Sequence, residues 1–168
     1  AGNFSGATLT LARNGGANSQ DLFSASGTLA ALTQGGNLTV GGTTIGTVTT
    51  NSGGTLVLTF NASATNALVN SAMQKIAYSN SSSAPPASAQ IDWTFSDGNT
   101  GAQGTGGALS ATGSVTVNIT AVASPPTLSA SGGATVTAGS PYTLSLSATD
   151  PEGVTISSWT INWGDGSV

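Results

Sequence analysis

The sequence predicts an all-β protein, built of antiparallel sheets packed as β-sandwiches, and three observations carry that expectation. Short runs alternate apolar and polar residues with a period of two, the signature of strands with one buried face. Gly, Asn, Ser or Pro bounds each run, and these residues turn chains between antiparallel strands. The composition is polar without being charged: charged residues make up 5% of the 168, against roughly 25% in ordinary soluble proteins. Ser, Thr, Asn and Gly must therefore cover the surface.

The elements follow in order along the chain. "TLTLAR" places Leu9 and Leu11 on one face, and "GTLVLTFNA" does the same with Leu56, Leu58 and Phe60. "AQIDWTFSDG" aligns Ala89, Ile91, Trp93 and Phe95, leaving Asp92 and Thr94 opposite. "SVTVNITAV" contributes Val115, Val117 and Ile119, "YTLSLSATD" contributes Leu144, Leu146 and Ala148, and Val154 to Trp163 again alternates like a strand. One segment departs from the period. In "SATNALVNSAMQKIAYSN", Leu68, Val69, Ala72, Met73 and Ile76 fall at helical spacing, with Ser63 or Thr65 placed to cap the start. This predicts a single short helix crossing between sheets, its apolar stripe serving as core.

The domain boundary is predicted at "AVASPPTLSA", where Pro125 and Pro126 favour an extended, stiff connection and a fresh strand pattern begins. Domain one is then 1–122 and the remainder 123–168. A complete sandwich takes about 100 residues, so the second domain is expected to be incomplete.

Two resemblances sharpen this reading. "SPPTLSASGGATVTAGSPYTLSLSATDPEGVTISSWTINWGDGS" resembles the first half of a polycystic-kidney-disease (PKD) domain, an immunoglobulin-like sandwich, through its proline start, "GSPYTL", "ATDPEG" and "WGDGS". It departs from that family at Ile161 and Trp163, where Trp and Phe are common, a conservative exchange of core residues. Across most of residues 20–120, "GGTLVLTFNASATNALVNSAMQKIAYSN", "PP", "SDGN" and the final "VTVNIT" are similar to cadherin-like repeats of large bacterial secreted adhesins and surface-layer proteins. The resemblances imply tandem immunoglobulin/cadherin-like sandwiches in an extracellular, cell-surface protein made of strings of modules. The chain opens at Ala1 rather than Met, and the half-length second domain is expected to be part of a longer array, in preference to a sheet completed by a neighbour's strand.

Composition narrows the chemistry. Two basic residues, Arg13 and Lys75, stand against six acids, for a net charge of −4. Phosphate neutralisation needs Lys and Arg, so nucleic acid and anionic membrane surfaces are poor partners. No apolar run reaches transmembrane length. With no Cys and no His, disulfide frameworks, thiolate or imidazole metal sites and His-based nucleophilic triads are all excluded.

The candidate site residues are few. Calcium in such folds takes carboxylates and carbonyls from loops at sandwich ends. "SDGNTG" sets Asp97 and Asn99 in one loop, and "ATDPEG" sets Asp150 and Glu152 in another. Both are equally good turn sequences, with Asp accepting backbone amides. Antiparallel topology would put Asp150 and Glu152 at the end of domain two where the linker arrives. Asp97 would lie near the N-terminus of domain one, and Asp165 in "GDG" reads as a turn former. A carboxylate pair for glycoside hydrolysis could be drawn only from Asp92 and Asp97, one on a strand face and one in a loop. Trp93, Trp159 and Trp163 could stack on sugars, but their apolar settings predict core positions. Glycosylation acceptor patterns at Asn3, Asn37, Asn61, Asn80 and Asn118 are what chance yields in a chain this rich in Asn, Ser and Thr.

The expected function is a non-catalytic structural or adhesive module of a large repetitive bacterial surface protein, in an adhesin, surface layer or filament, rigidified by calcium. Its partners would be neighbouring modules, copies of itself or surface glycans. The alternative is a carbohydrate-binding accessory module of a secreted hydrolase.

Overall fold

The computed structural model describes residues 4–100 and 105–164. Two compact units emerge, Ala1–Thr120 and Ala121–Val168.

In the first unit the strands are β1 (Thr8–Arg13), β2 (Asp21–Ala25), β3 (Asn37–Val40), β4 (Thr43–Ser52), β5 (Thr55–Phe60), β6 (Ile76–Asn80), β7 (Ser88–Ser96) and β8 (Ser110–Asn118), with one helix, α1 (Asn66–Met73), between β5 and β6. Six strands form an antiparallel sheet in the order β3-β4-β5-β1-β7-β8, and β2 pairs with β6 in a second, two-stranded sheet. Alternation sets the faces: in β5, Leu56, Leu58 and Phe60 are buried while Thr55, Val57 and Thr59 are only partly covered. With Leu9, Ile45, Val48 and Ile91 they form one apolar core, against which Phe23, Val69 and Ala72 pack from β2 and α1. Each fully buried Leu or Ile of this core contributes roughly 1.5–3 kcal/mol.

The helix starts where Thr65 accepts a hydrogen bond from the Leu68 amide on its side chain. It ends at Met73, with Gln74 as the C-cap, and Ile76, which fits the helical spacing, instead opens β6. Ile76 lies opposite Ala25 in the β2–β6 ladder, so tertiary pairing overrides the local period.

The second unit contains β9 (Thr127–Gly132) paired antiparallel with β10 (Leu144–Thr149). Residues 154–163 lie outside any strand, contrary to the expectation from their alternation. Among the described residues two strands supply a single thin layer, and none of the buried core residues belongs to this unit. Trp159 and Trp163, expected in a core, are accordingly 42% and 53% exposed.

Candidate functional site

The first acidic loop begins where β7 ends. Asp97 donates its backbone amide to the Leu109 carbonyl. Its Oδ1 accepts from the amides of Asn99 (3.1 Å) and Leu109 (2.9 Å), closing the turn between β7 and β8. Gly98 follows with φ +61°, and a Cβ there would stand 2.0 Å from the Gly6 carbonyl oxygen. Only glycine fits, and the loop is fixed beside the segment leading into β1.

The second loop follows β10. Asp150 Oδ1 accepts from the amides of Glu152 and Val154, both at 3.0 Å, an Asx turn. Glu152 Oε1 accepts from the Ser124 amide at 3.1 Å, and Thr149 pairs with Thr127. The turn thus sits at the end of its unit where the chain enters.

Calcium takes six to eight oxygens. In each aspartate one oxygen already accepts two amide hydrogens, which occupies both its lone pairs. Among the described residues no three Asp, Glu, His or Cys side chains gather. The hydrogen bonds of Asp97 and Asp150 support their own turns. Asp165 lies outside the described residues.

Asp92 is on the outer face of β7. Asn14 Nδ2 (2.7 Å) and Gln90 Nε2 (3.0 Å) donate to its carboxylate. The Gln90 bond first, then that from Asn14, holds its pKa below the ordinary carboxylate range.

Trp93 is half-buried against the core, opposite Gly113 in the β7–β8 register. Its indole lies across Gly113 so closely that a Cβ there would be 2.5 Å from the ring. Trp93 also borders an open apolar groove of about 450 Å³, lined by Leu11, Tyr78 and Val117 among others, between β6 and the β7–β8 side of the large sheet. In the second unit Trp163 meets Tyr142 edge-on at 6.3 Å.

The strongest polar constellation was not among the expected site residues. Asp21, at the start of β2, is 2% exposed. Arg13 at the end of β1 donates through Nε to Oδ2 at 2.7 Å and through a second nitrogen to Oδ1. Tyr78 Oη (2.6 Å) and Asn80 Nδ2 (2.8 Å), both on β6, donate to the same Oδ1. Four side chains from three strands thereby clip the two-stranded sheet to the large one. The bidentate Arg13 bond, then those from Tyr78 and Asn80, outweigh desolvation and hold the Asp21 pKa at about 2. The Arg13 pKa is raised by the same bond, and burial pushes the Tyr78 hydroxyl up. A signal was present: one of only two basic residues stands in a strand otherwise made of Thr, Leu and Ala, where burial demands a carboxylate partner. Asn80 is also one of the glycosylation acceptor patterns, and its amide nitrogen is engaged in this clip.

No family model, curated protein or solved structure matches the chain.

Proposed function

We propose that the chain is a non-catalytic, extracellular structural module of a large repetitive bacterial cell-surface protein, in which cadherin-like and PKD-like sandwiches space out or tile a surface. One observation carries this reading. All five acidic side chains among the described residues (Asp21, Asp92, Asp97, Asp150 and Glu152) accept hydrogen bonds from their own chain, and each bond supports a turn, a strand face or the clip between sheets. Glycoside hydrolysis and general acid–base chemistry call for a carboxyl group held toward a substrate, and these are held toward backbone amides and neighbouring side chains.

Exposure of Trp159 and Trp163 favours the second reading, a carbohydrate-binding accessory module, because exposed indole faces are what sugars stack on. A glycan array on the purified chain and on Trp93→Ala, Trp159→Ala and Trp163→Ala variants separates the two. The structural reading expects no glycan-specific signal; specific binding that disappears with Trp159 or Trp163 while the fold persists overturns it.

Calcium enters this reading only as a proposal at the Asp97–Asn99 and Asp150–Glu152 turns. If it binds, chelator lowers the melting temperature and added calcium restores it by mass action, and Asp150→Asn with Glu152→Gln abolishes the response. A melting curve indifferent to chelator removes calcium and leaves the structural role standing.

A further inference from the structure

The large sheet ends on one side at β3, which has four residues and a register shift between Leu38 and Thr39. Shortness and irregularity are ways of blunting a sheet edge. The other edge, β8, is different. It runs nine residues, Ser110–Asn118, in unbroken register with β7, and contains no charged residue and no proline. Among the described residues no strand pairs with its outer side.

The hydrogen-bond phase of that edge follows from its two ends. The Ile119 amide donates to Ala87, and Asp97 donates to Leu109, so the odd-numbered residues bond toward β7. In an antiparallel ladder the alternate residues bond the other way. Ser110, Thr112, Ser114, Thr116 and Asn118 therefore direct their amides and carbonyls outward.

The side chains of this strand complement themselves. Placed antiparallel to its own copy about a two-fold axis at Ser114, β8 sets Thr112 opposite the copy's Thr116, a cross-strand hydroxyl pair. On the apolar face, Gly113 meets the copy's Val115, Ala111 meets Val117 and Leu109 meets Ile119, small against large in the first two. Val115 and Leu109 are 53% and 75% exposed in the single chain. Gly113 and Val115 would form a non-hydrogen-bonded pair, whose side chains approach closest. The copy's Val115 would then rest against the Trp93 indole lying over Gly113. With no charge of either sign on the strand, two copies meet without desolvating or opposing charges, whereas a charged partner would find nothing to pair with.

We propose that β8 is a self-association edge, joining two copies of this chain into one continuous antiparallel sheet centred on Ser114. The inference rests on the reading of the chain as a module that lies against copies of itself, and it adds the strand, register and symmetry.

Sedimentation of the full chain over a wide concentration range, with amide hydrogen exchange at both extremes, tests it. A reversible dimer is expected, with exchange slowing on association at Thr112, Ser114 and Thr116 and unchanged at Gly113, Val115 and Val117. Ser114→Pro removes an outward amide that the β7 ladder does not use and should weaken the dimer at least roughly tenfold, two ladder bonds being lost per pair. Thr112→Lys with Thr116→Lys sets like charges opposite and should also give monomers, while Thr112→Glu with Thr116→Lys restores the dimer. A strict monomer overturns the proposal and leaves the structural-module reading intact. So does a dimer that survives Ser114→Pro and the double-lysine variant, since association then uses another surface, including a strand laid into the groove beside β6.

Discussion

Asp21 and Arg13 are unequal partners, and the inequality is measurable. The Asp21 side chain is fully buried, whereas that of Arg13 keeps 18% exposure. Arg13→Met strands a carboxylate in the interior and should cost about 3–5 kcal/mol. Asp21→Asn leaves a guanidinium that can turn toward water and should cost less, about 1.5–3 kcal/mol; urea melts of the two variants check the order. Acid should act through the same group. Unfolded Asp21 takes up a proton near the ordinary value of about 3.9, and folded Asp21 resists until about pH 2. Its contribution is therefore complete above roughly pH 5 and lost as pH falls toward 2, about 2–3 kcal/mol in all. Asp21→Asn should flatten that part of the pH–stability curve. At Gly98 a second substitution is diagnostic: Gly98→Ala meets both a left-handed φ and the Gly6 carbonyl, so a melting-point drop well beyond that of an ordinary surface change is expected.

At the scale of elements, legibility in the sequence followed the strength of the period. β1, β5, β7 and β10 alternate cleanly and read directly as strands, and the helix announced itself through Leu68, Val69 and Ala72. The strands β2, β3, β4 and β6 were harder. In β4 the ladder with β3 passes from Gly46 to Thr44 and skips Ile45, so the buried set Ile45, Val48 breaks the two-residue period. β6 hides behind Ile76, which satisfies both a helical and a strand pattern. The turn role of Asp97 and Asp150 was legible as one of two readings, but the clip at Asp21 was not, because its members are up to 67 residues apart and only the fold brings them together. The helix carries a prediction of its own. The Thr65 cap bond is long, 3.3 Å, so Thr65→Ala should cost about 0.5–1 kcal/mol, at the low end for a cap. Thermal melts of this variant beside Ser63→Ala, which should be silent, identify the cap residue.

Across the whole molecule, burial is uneven. Among the described residues every buried core residue lies between Ala7 and Ile91, while β9 and β10 form a two-stranded ladder, marginal by itself. Amide exchange should divide accordingly, with Leu9, Leu56, Leu58 and Ile91 protected up to the global stability and the β9–β10 amides exchanging by local opening. Equal protection in both units would contradict this partition.

The same clip has a consequence for digestion. Proteases that cut after basic residues have two places to act on this chain. At the first, the Arg13 side chain is gripped by Asp21 and its carbonyl receives the Gly16 amide. At the second, the Lys75 carbonyl accepts from both the amide and hydroxyl of Ser26, and its ammonium donates to Ser71. Threading either residue into a protease cleft requires opening the first unit. Trypsin should therefore leave the native chain nearly whole over a time course that cleaves Asp21→Asn at Arg13, as intact-mass spectra would show. A chain whose rare cutting sites are also its fasteners would outlast one whose basic residues lie in open loops.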